Sequence, residues 1–411
     1  MTGGPERITA RQGAQILRGA KGLIFLAGSA AEPRAVLDAA DDLWSGLSLT
    51  GPWIPGVNDR APPQGATFHA IFATPGLRRA GWRHLPLHYS AYDRWLSAPG
   101  RVEWAVATLP PPSADGTIGL GPTVDFLPGI LAAGARLIAV TNPALPDLPG
   151  TPRLPLSRVA ALVEGGGPLP GYDPGQPDPA LTTIAARIPG MLAPGDTLQL
   201  GLGKLAPAVL AALAGAGLRG LHYHGGMITA PVLPLIADGT FATVTTGVAV
   251  GDAALYAALR DYPQIAFRPV SLTHDHGHLS RLPGLLALGQ VLEIDLTGQA
   301  NAEALDGRQI GGQGGLVDFI RGARAAPGGR SLLALPAAAR GGTLSRIVAA
   351  LPPGTPVSVA RGDIGMVATE YGTADLSGLD LAQRAETLTA LAAPQFRDTL
   401  AADVAQRQGG A

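Results

Sequence analysis

The sequence predicts an α/β protein of two domains, each a mostly parallel sheet covered by helices. Three observations carry this. Short apolar runs end in glycine-rich turns and give way to alanine-rich helical stretches along most of the chain, and strands alternating with helices build parallel sheets. The length of 411 residues exceeds what one hydrophobic core ordinarily organises. Residues 150–195 then break the rhythm with GTPRLP, EGGGPLPGYDPGQPDP and IPGMLAPGD, a run dense in Pro and Gly that reads as a boundary. The expected division is 1–185 and 190–411.

The elements follow in order. KGLIFLAG (21–28) reads as a buried strand closing at Gly28-Ser29, with an alanine-rich helix behind it. ATFHAIFAT (66–74) and VEWAVATLP (102–110) read as further strands, and RLIAVTNPALP (136–146) as a strand that stops at Asn142-Pro143. After the boundary, with its short helix LTTIAARI (181–188), the cycle restarts. TLQLGLG (197–203) is a strand and 205–216 a helix; FATVTTGVAV (241–250), IAFRPVSL (265–272), LGQVLEIDLTG (288–298), SLLALPA (331–337) and TPVSVAR (355–361) read as strands. LHYHGGMITAP (221–231), with its paired glycines, reads as a loop. LDLAQRAETLTALA (379–392) is a helix, and a Pro-broken second helix runs to about 405.

Composition excludes several function classes. Net charge is −1 with no block of like charge, and Lys21 and Lys204 are the only lysines, so the arginines reflect a compositional bias and no nucleic-acid partner is implied. The absence of cysteine removes disulfides, Cys-ligated zinc and a Cys nucleophile together. MTGGPERITA has no apolar signal core, and the longest apolar run, LAPAVLAALAGAG (205–217), is too short to span a bilayer. A cytoplasmic protein without a membrane partner is expected.

Four constellations could carry chemistry. LQLGLGKLAP (198–207) frees the backbone between a strand and a helix, where N–H groups can hold an anion or a carbonyl oxygen. It lacks the third glycine of a dinucleotide fingerprint. RQIGGQGGLVDFIRGA (308–323) has four glycines in five positions running into a helix, more than a structural turn needs, which favours close approach of a ligand to backbone. Five of the eight histidines lie in LHYHGG and THDHGHLS (273–280), and His at i, i+2 on extended chain would point one way. Converging imidazoles would make a metal site; histidines paired with Asp275 and carbonyls in a polar cleft are the preferred reading, and no metal is expected. In VATEYGTADL (367–376), Glu370 follows an apolar run, at the kind of strand end where α/β sites sit, although a solvated turn acid would look the same.

Together these motifs resemble the acetyl-CoA hydrolase/transferase family, which includes acetate and 4-hydroxybutyrate CoA-transferases. The resemblance covers nearly the whole chain. It runs through AGSAAEP (27–33), LPPPSADGTIGLGPTVDFLPGILAAGARLIAVTNPALP (109–146), LQLGLG, MITAPVLPLIADG, LEIDLTGQ, GGQGGLVDFIRGA, LSRIV (344–348), TEYG and AAPQFRDTL (392–400). It implies two CoA-transferase-like domains with acyl-CoA between them, and a Glu that attacks the thioester to give a glutamyl-CoA intermediate. It also implies backbone N–H groups as the oxyanion hole, a carboxylate acceptor as second substrate, and a homodimer. By matching position, Gly201, Leu202, Gly203, Lys204 and Leu205 would line CoA, as would Gly312, Gly314 and Gly315. Arg340 stands about where a CoA-contacting lysine is usual, and Glu370 matches the acid of the family's T-E-Y-G.

The chain departs from the family pattern at the nucleophile. The family's Glu precedes a methionine, and aligned on Met227 its place is held by Gly226; the usual Asp-Gly is Ala230-Pro231, and no Asp or Glu occurs from Arg219 to Ala237. The Asn of the family's N-D-P corresponds to His274. The expectation is an acyl-CoA hydrolase or CoA-transferase-like enzyme without a glutamyl intermediate, in which Gly226 leaves room for a water and His224 or His274 activates it. Two alternatives stand beside it: a non-catalytic acyl-CoA-binding or regulatory homologue, and a metal-dependent hydrolase or lyase using the histidines.

Overall fold

The computed structural model describes residues 4–39 and 41–408. Its strands form two eight-stranded sheets, the first built before the Pro/Gly-rich boundary and the second after it. In chain order the first holds β1 (Glu6–Ile8), β2 (Leu23–Leu26), β3 (Ser48–Thr50), β4 (Thr67–Ala70), β5 (Arg83–His84), β6 (Val102–Leu109), β7 (Arg136–Thr141) and β8 (Val159–Glu164). Their spatial order is β1-β8-β7-β6-β2-β3-β4-β5, every neighbour parallel. The second holds β9 (Thr197–Leu200), β10 (Leu221–Ile228), β11 (Phe241–Ala249), β12 (Ile265–Phe267), β13 (Leu286–Gln290), β14 (Arg330–Ala334), β15 (Met366–Thr369) and β16 (Gly372–Asp375), in the order β12-β11-β10-β9-β13-β14-β15-β16. Here β9 runs parallel to β10 and β13, β14 to β13 and β15, and the edge strand β16 is antiparallel to β15.

The local causes are those the sequence carries. β2 and β6 are apolar because both faces are covered: all four residues of β2 are buried, and seven of the eight in β6. Helix α1 (Ala10–Arg18) starts on a capping box in which Thr9 and Gln12 exchange side-chain and backbone hydrogen bonds. β7 ends where Asn142 turns the chain, its Oδ1 accepting from the Ala144 N–H, ahead of Pro143. Among helices that matter below, α2 spans Tyr89–Leu96, α3 Leu127–Ala132, α4 Leu205–Ala214 and α5 Leu316–Ala325. No described helix is long and apolar enough to cross a membrane.

By contacts the chain divides into two compact units. One comprises Met1–Asp173, Gly225–Leu233 and Thr243–His274; the other Pro174–His224, Pro234–Ala242 and Asp275–Ala411. The division passes through β10 after His224 and through β11 after Ala242. The first unit is cored by residues such as Ile24, Leu26, Trp44, Trp53, Phe68, Val106 and Val140, and the second by Ile294, Ile320, Leu333, Ile347, Val367 and Leu388.

Several element expectations need correction. Residues 221–231 are not a loop: 221–228 form the strand β10. Within 265–272 only 265–267 are strand, and Pro269 opens the single-turn helix Val270–Thr273. Residues 288–298 are two strands, not one: β13 ends at Gln290, and Glu293–Asp295 joins a separate three-stranded sheet with Ala300–Asn301 and Ile347–Val348. Residues 355–361 form no described strand beyond a single bridge from Val359 to Ala300. THDHGHLS is not extended either, because the helical turns Val270–Thr273 and His276–Leu279 divide it.

Candidate functional site

In the second unit the glycine motifs collect at the carboxyl ends of parallel strands, where open α/β sheets bind ligands. Gly201-Leu202-Gly203-Lys204 follows β9 and leads into α4. Gly203 has φ +120, a conformation that L side chains rarely adopt, and a Cβ on it would lie 3.6 Å from Gln290 Oε1 at the end of β13. The first residue of α5 packs on β13 because Gly289 has no side chain: a Cβ there would overlap the Leu316 side chain. That fixes the amino end of α5, and the Gly312–Gly315 turn before it, at the carboxyl end of β13. Gly314 has φ +53. The base of the turn is tied down by Glu303, whose carbonyl accepts the N–H groups of Ile310 and Gly311 at 2.8 and 2.9 Å.

Glu370 lies just past β15, half-buried. Its Oε2 accepts the Ala337 N–H at 2.8 Å, tying it to the segment that leaves β14, while Arg187 donates to the carbonyls of Thr369 and Glu370 at 2.6 and 2.7 Å. These bonds make it a brace for the strand ends. Arg340 sits at φ +51 in the hairpin Ala338–Ala339/Leu344–Ser345, with its side chain 64% exposed and ion-paired to Asp306 at 2.8 Å.

His224 and His274 fall in different units. His224, on β10, is 2% exposed, and its ring lies 5.1 Å from that of His278 and 6.5 Å from Phe319. Burial followed by the charge of Arg281 lowers the His278 pKa. Among the described residues no group of three or more His, Asp or Glu is arranged to hold a metal ion.

In the first unit Gly226 and His274 meet. A Cβ on Gly226 would lie 3.1 Å from His274 Cε1 and 3.3 Å from Nε2. His274, 2% exposed, caps the turn Val270–Thr273; its ring stacks on Tyr89 at 4.8 Å and 27°, and its Nδ1 is 2.9 Å from Thr273 Oγ1. The Thr273 hydroxyl also reaches the Pro269 carbonyl at 3.4 Å. Of the two ring nitrogens, Nδ1 faces Thr273 and Nε2 is the one nearer Gly226. Gly226 itself is half-buried. The adjoining strand comes close to it: a Cβ on Gly247 would lie 3.0 Å from the Gly226 carbonyl oxygen.

Sequence reasoning missed a group here. Asp125 is 7% exposed, has φ +38, and directs Oδ1 to within 3.7 Å of that same Gly247 Cβ position. Burial, then the like charge of Asp93, pushes its pKa well above the usual carboxylate range. Asp93 is itself raised to about 6 by burial, against a lowering pull from Arg94. Tyr89 is driven up by burial, then by Asp125 and Tyr92; Tyr92 is driven up by burial and by Asp125, with hydrogen bonds to Thr50 and to the Gly51 backbone working the other way.

Comparison with known proteins adds the lineage. The model of the acetyl-CoA hydrolase/transferase C-terminal domain matches residues 251–404. The butyryl-CoA:acetate CoA-transferase of Anaerostipes caccae is 30% identical over 81% of this chain and 80% of its own length. The chain belongs to the acetyl-CoA hydrolase/transferase family. Within the family, the acetyl-CoA hydrolase of Eremothecium gossypii is 28% identical over 76% of the chain and 68% of its own. The crystal structure of RipA from Yersinia pestis superposes with a TM-score of 0.88 at 26% identity, covering 98% of both chains. CoA-transferase and hydrolase names thus both occur among the relatives of this family member, whose strand β10 carries glycine at 226.

Proposed function

We propose that this family member hydrolyses acyl-CoA thioesters directly with water, His274 serving as the general base and no glutamyl-CoA intermediate forming. The observation that carries the reading is the contact at Gly226. Where a nucleophile's side chain would begin there is no Cβ, and the imidazole edge of His274 stands 3.1–3.3 Å from that point. The ring edge occupies the space a side chain would take, so a water that hydrogen-bonds Nε2 approaches from beside the Gly226 backbone and not at the Cβ point itself. His274 takes a proton from the water as its oxygen bonds to the acyl carbon. The tetrahedral intermediate collapses with cleavage of the C–S bond, and the imidazolium returns the proton to the departing thiolate. The products are free CoA and a carboxylic acid.

The other assignments follow position in the family. Gly201, Leu202, Gly203, Lys204 and Leu205, with Gly312, Gly314 and Gly315, offer backbone N–H groups at strand ends suited to CoA and to an oxyanion; each well-aimed oxyanion donor is worth about 2.7–4 kcal/mol in such sites. Arg340 supplies a cation to CoA phosphates. Glu370 acts by bracing the strand ends and not as an acid or base. His224, walled by His278 and Phe319, has a structural role. The sequence halves 1–185 and 190–411 are read as the two folding units of the lineage, since each contributes one eight-stranded sheet.

The test is free-thiol release from a series of acyl-CoAs, with and without acetate, by wild type and His274→Ala, together with the intact mass of the protein after incubation. Thiol release without a CoA adduct, lost in His274→Ala, supports the reading. Acyl exchange into acetate with a CoA adduct on the protein overturns it. The missing carboxylate also favours a second reading, a binding protein on an enzyme's frame; CoA binding by calorimetry without turnover or exchange would support that one.

A further inference from the structure

We propose that the Asp125 side chain, held beside Gly226, donates a hydrogen bond to an oxygen of the acyl ligand there. The identity of the ligand and its contact with Asp125 rest on the hydrolase reading; the position of the carboxyl group rests on the geometry. The Val124 N–H donates to the Gly247 carbonyl at 3.0 Å, and the Val270 N–H to the Asp125 carbonyl at 3.0 Å. Asp125 is therefore tied on one side to β11 beside Gly226, and on the other to the helical turn that ends in His274. Its backbone is held at φ +38, a conformation that L residues seldom adopt and that persists where the surroundings over-determine it. Gly247 is the hinge of the arrangement. The Gly226 carbonyl oxygen and Asp125 Oδ1 both converge on the point that its Cβ would fill, at 3.0 and 3.7 Å.

The surroundings decide the protonation state. From α2, Asp125 is faced by Asp93, Tyr89 and Tyr92; from the segment after β12, by the His274 ring across Tyr89. Helix α3 brings Leu127 and Ile130 and no titratable group. Arg94 acts on Asp93, and Arg268 donates to the carbonyls of Gly150 and Phe267. An ionised Asp125 would thus be a buried charge beside another carboxylate, with no cation offsetting it. Asp93 ionises first, near pH 6, and its charge then keeps the proton on Asp125. A carboxylic acid kept neutral at pH 7 is a donor, which a carboxylate is not.

Three variants of the full-length protein test this: Asp125→Asn, which keeps shape and a donor but cannot titrate; Asp125→Leu, which removes the donor; and Asp93→Asn, which removes the like charge. The first readout is infrared difference spectroscopy at pH 7, wild type minus Asp125→Asn. A protonated-carboxyl band is expected, and its absence overturns the proposal whether or not the protein turns over. The second is the pH profile of thiol release on acetyl-CoA and on an acyl-CoA bearing a chain hydroxyl. Wild-type activity should fall on the alkaline side, Asp125→Asn should lack that fall, and Asp93→Asn should shift it to lower pH. Asp125→Leu should lose roughly ten- to hundredfold below the alkaline fall and approach wild type above it. Loss on both substrates points to the thioester carbonyl as acceptor, and loss confined to the hydroxyacyl substrate points to the chain oxygen. An alkaline fall unchanged in Asp125→Asn, or full activity in Asp125→Leu, refutes it. A wild type that releases no thiol defeats the hydrolase reading instead; the infrared band and weaker acyl-CoA binding by Asp125→Leu then remain the measures of the donor.

Discussion

Adding one methyl group at Gly226 probes the relation between that residue and His274. In Gly226→Ala the new Cβ would stand 3.1 Å from Cε1 and 3.3 Å from Nε2, inside the 3.4 Å at which ordinary contact begins. The ring must therefore retreat by about 0.3 Å, and it is held from behind by the Tyr89 stack at 4.8 Å and at the side by Thr273 Oγ1 at 2.9 Å. Overpacking of this kind costs about 1–3 kcal/mol. Replacing glycine by alanine within a strand returns about 0.5–1 kcal/mol through the unfolded chain. The net expectation is a loss of about 1–2 kcal/mol, read by urea or thermal unfolding. In a His274→Ala background the obstacle is gone, so the same substitution should be neutral or slightly stabilising, a coupling of about 1 kcal/mol or more. Thiol release in Gly226→Ala should drop roughly ten- to hundredfold, because the base is displaced from its position. Equal destabilisation in both backgrounds, or wild-type turnover in Gly226→Ala, would refute the reasoning.

Other outcomes follow from the same contacts. Asp93 has a folded pKa of about 6 against an ordinary 3.8, so its burial penalty is absent below pH 4, grows up to pH 6 and is complete above it. Asp93→Asn should then be more stable than wild type by about 3 kcal/mol at pH 8 and equal to it at pH 4, measured by denaturant unfolding at the two pH values. Removing the Glu370 carboxylate as Glu370→Ala strands the Ala337 N–H and should cost about 1–3 kcal/mol, whereas Glu370→Gln, which keeps an acceptor, should cost far less and retain turnover; equal loss of turnover in both would make Glu370 a participant in the chemistry. Arg340→Ala should change stability by less than about 0.5 kcal/mol, its ion pair with Asp306 being exposed, and raise KM for acyl-CoA without lowering kcat; an unchanged KM would remove Arg340 from the CoA site.

The parallel α/β architecture was legible because strands buried on both faces read as unbroken apolar runs, as in residues 102–109 and 197–200. Elements failed where glycine, histidine or proline obscured them. LHYHGGMI looks like a loop, yet it is a strand, and at Gly226 the His274 ring approaches it closely. IAFRPVSL reads as one apolar run although Pro269 ends the strand and starts a helical turn. The substitution at 226 could be read from sequence by resemblance, but the contact that gives it meaning could not: Gly226 and His274 are 48 residues apart, and nothing local pairs them. Asp125 was invisible for the same reason. Its neighbours Asp93, Gly247 and Val270 come from distant segments, and its left-handed backbone has no mark in TVDFLPG beyond an Asp before a helix.

The most direct test of the central claim is free-thiol release from acetyl-CoA by wild type and His274→Ala, run without any carboxylate acceptor. Release by wild type that falls by two orders of magnitude or more in the variant, with no CoA adduct in the intact mass of either protein, is the predicted result. Wild-type release undiminished in His274→Ala, or release that appears only with acetate alongside a covalent CoA adduct, would contradict it.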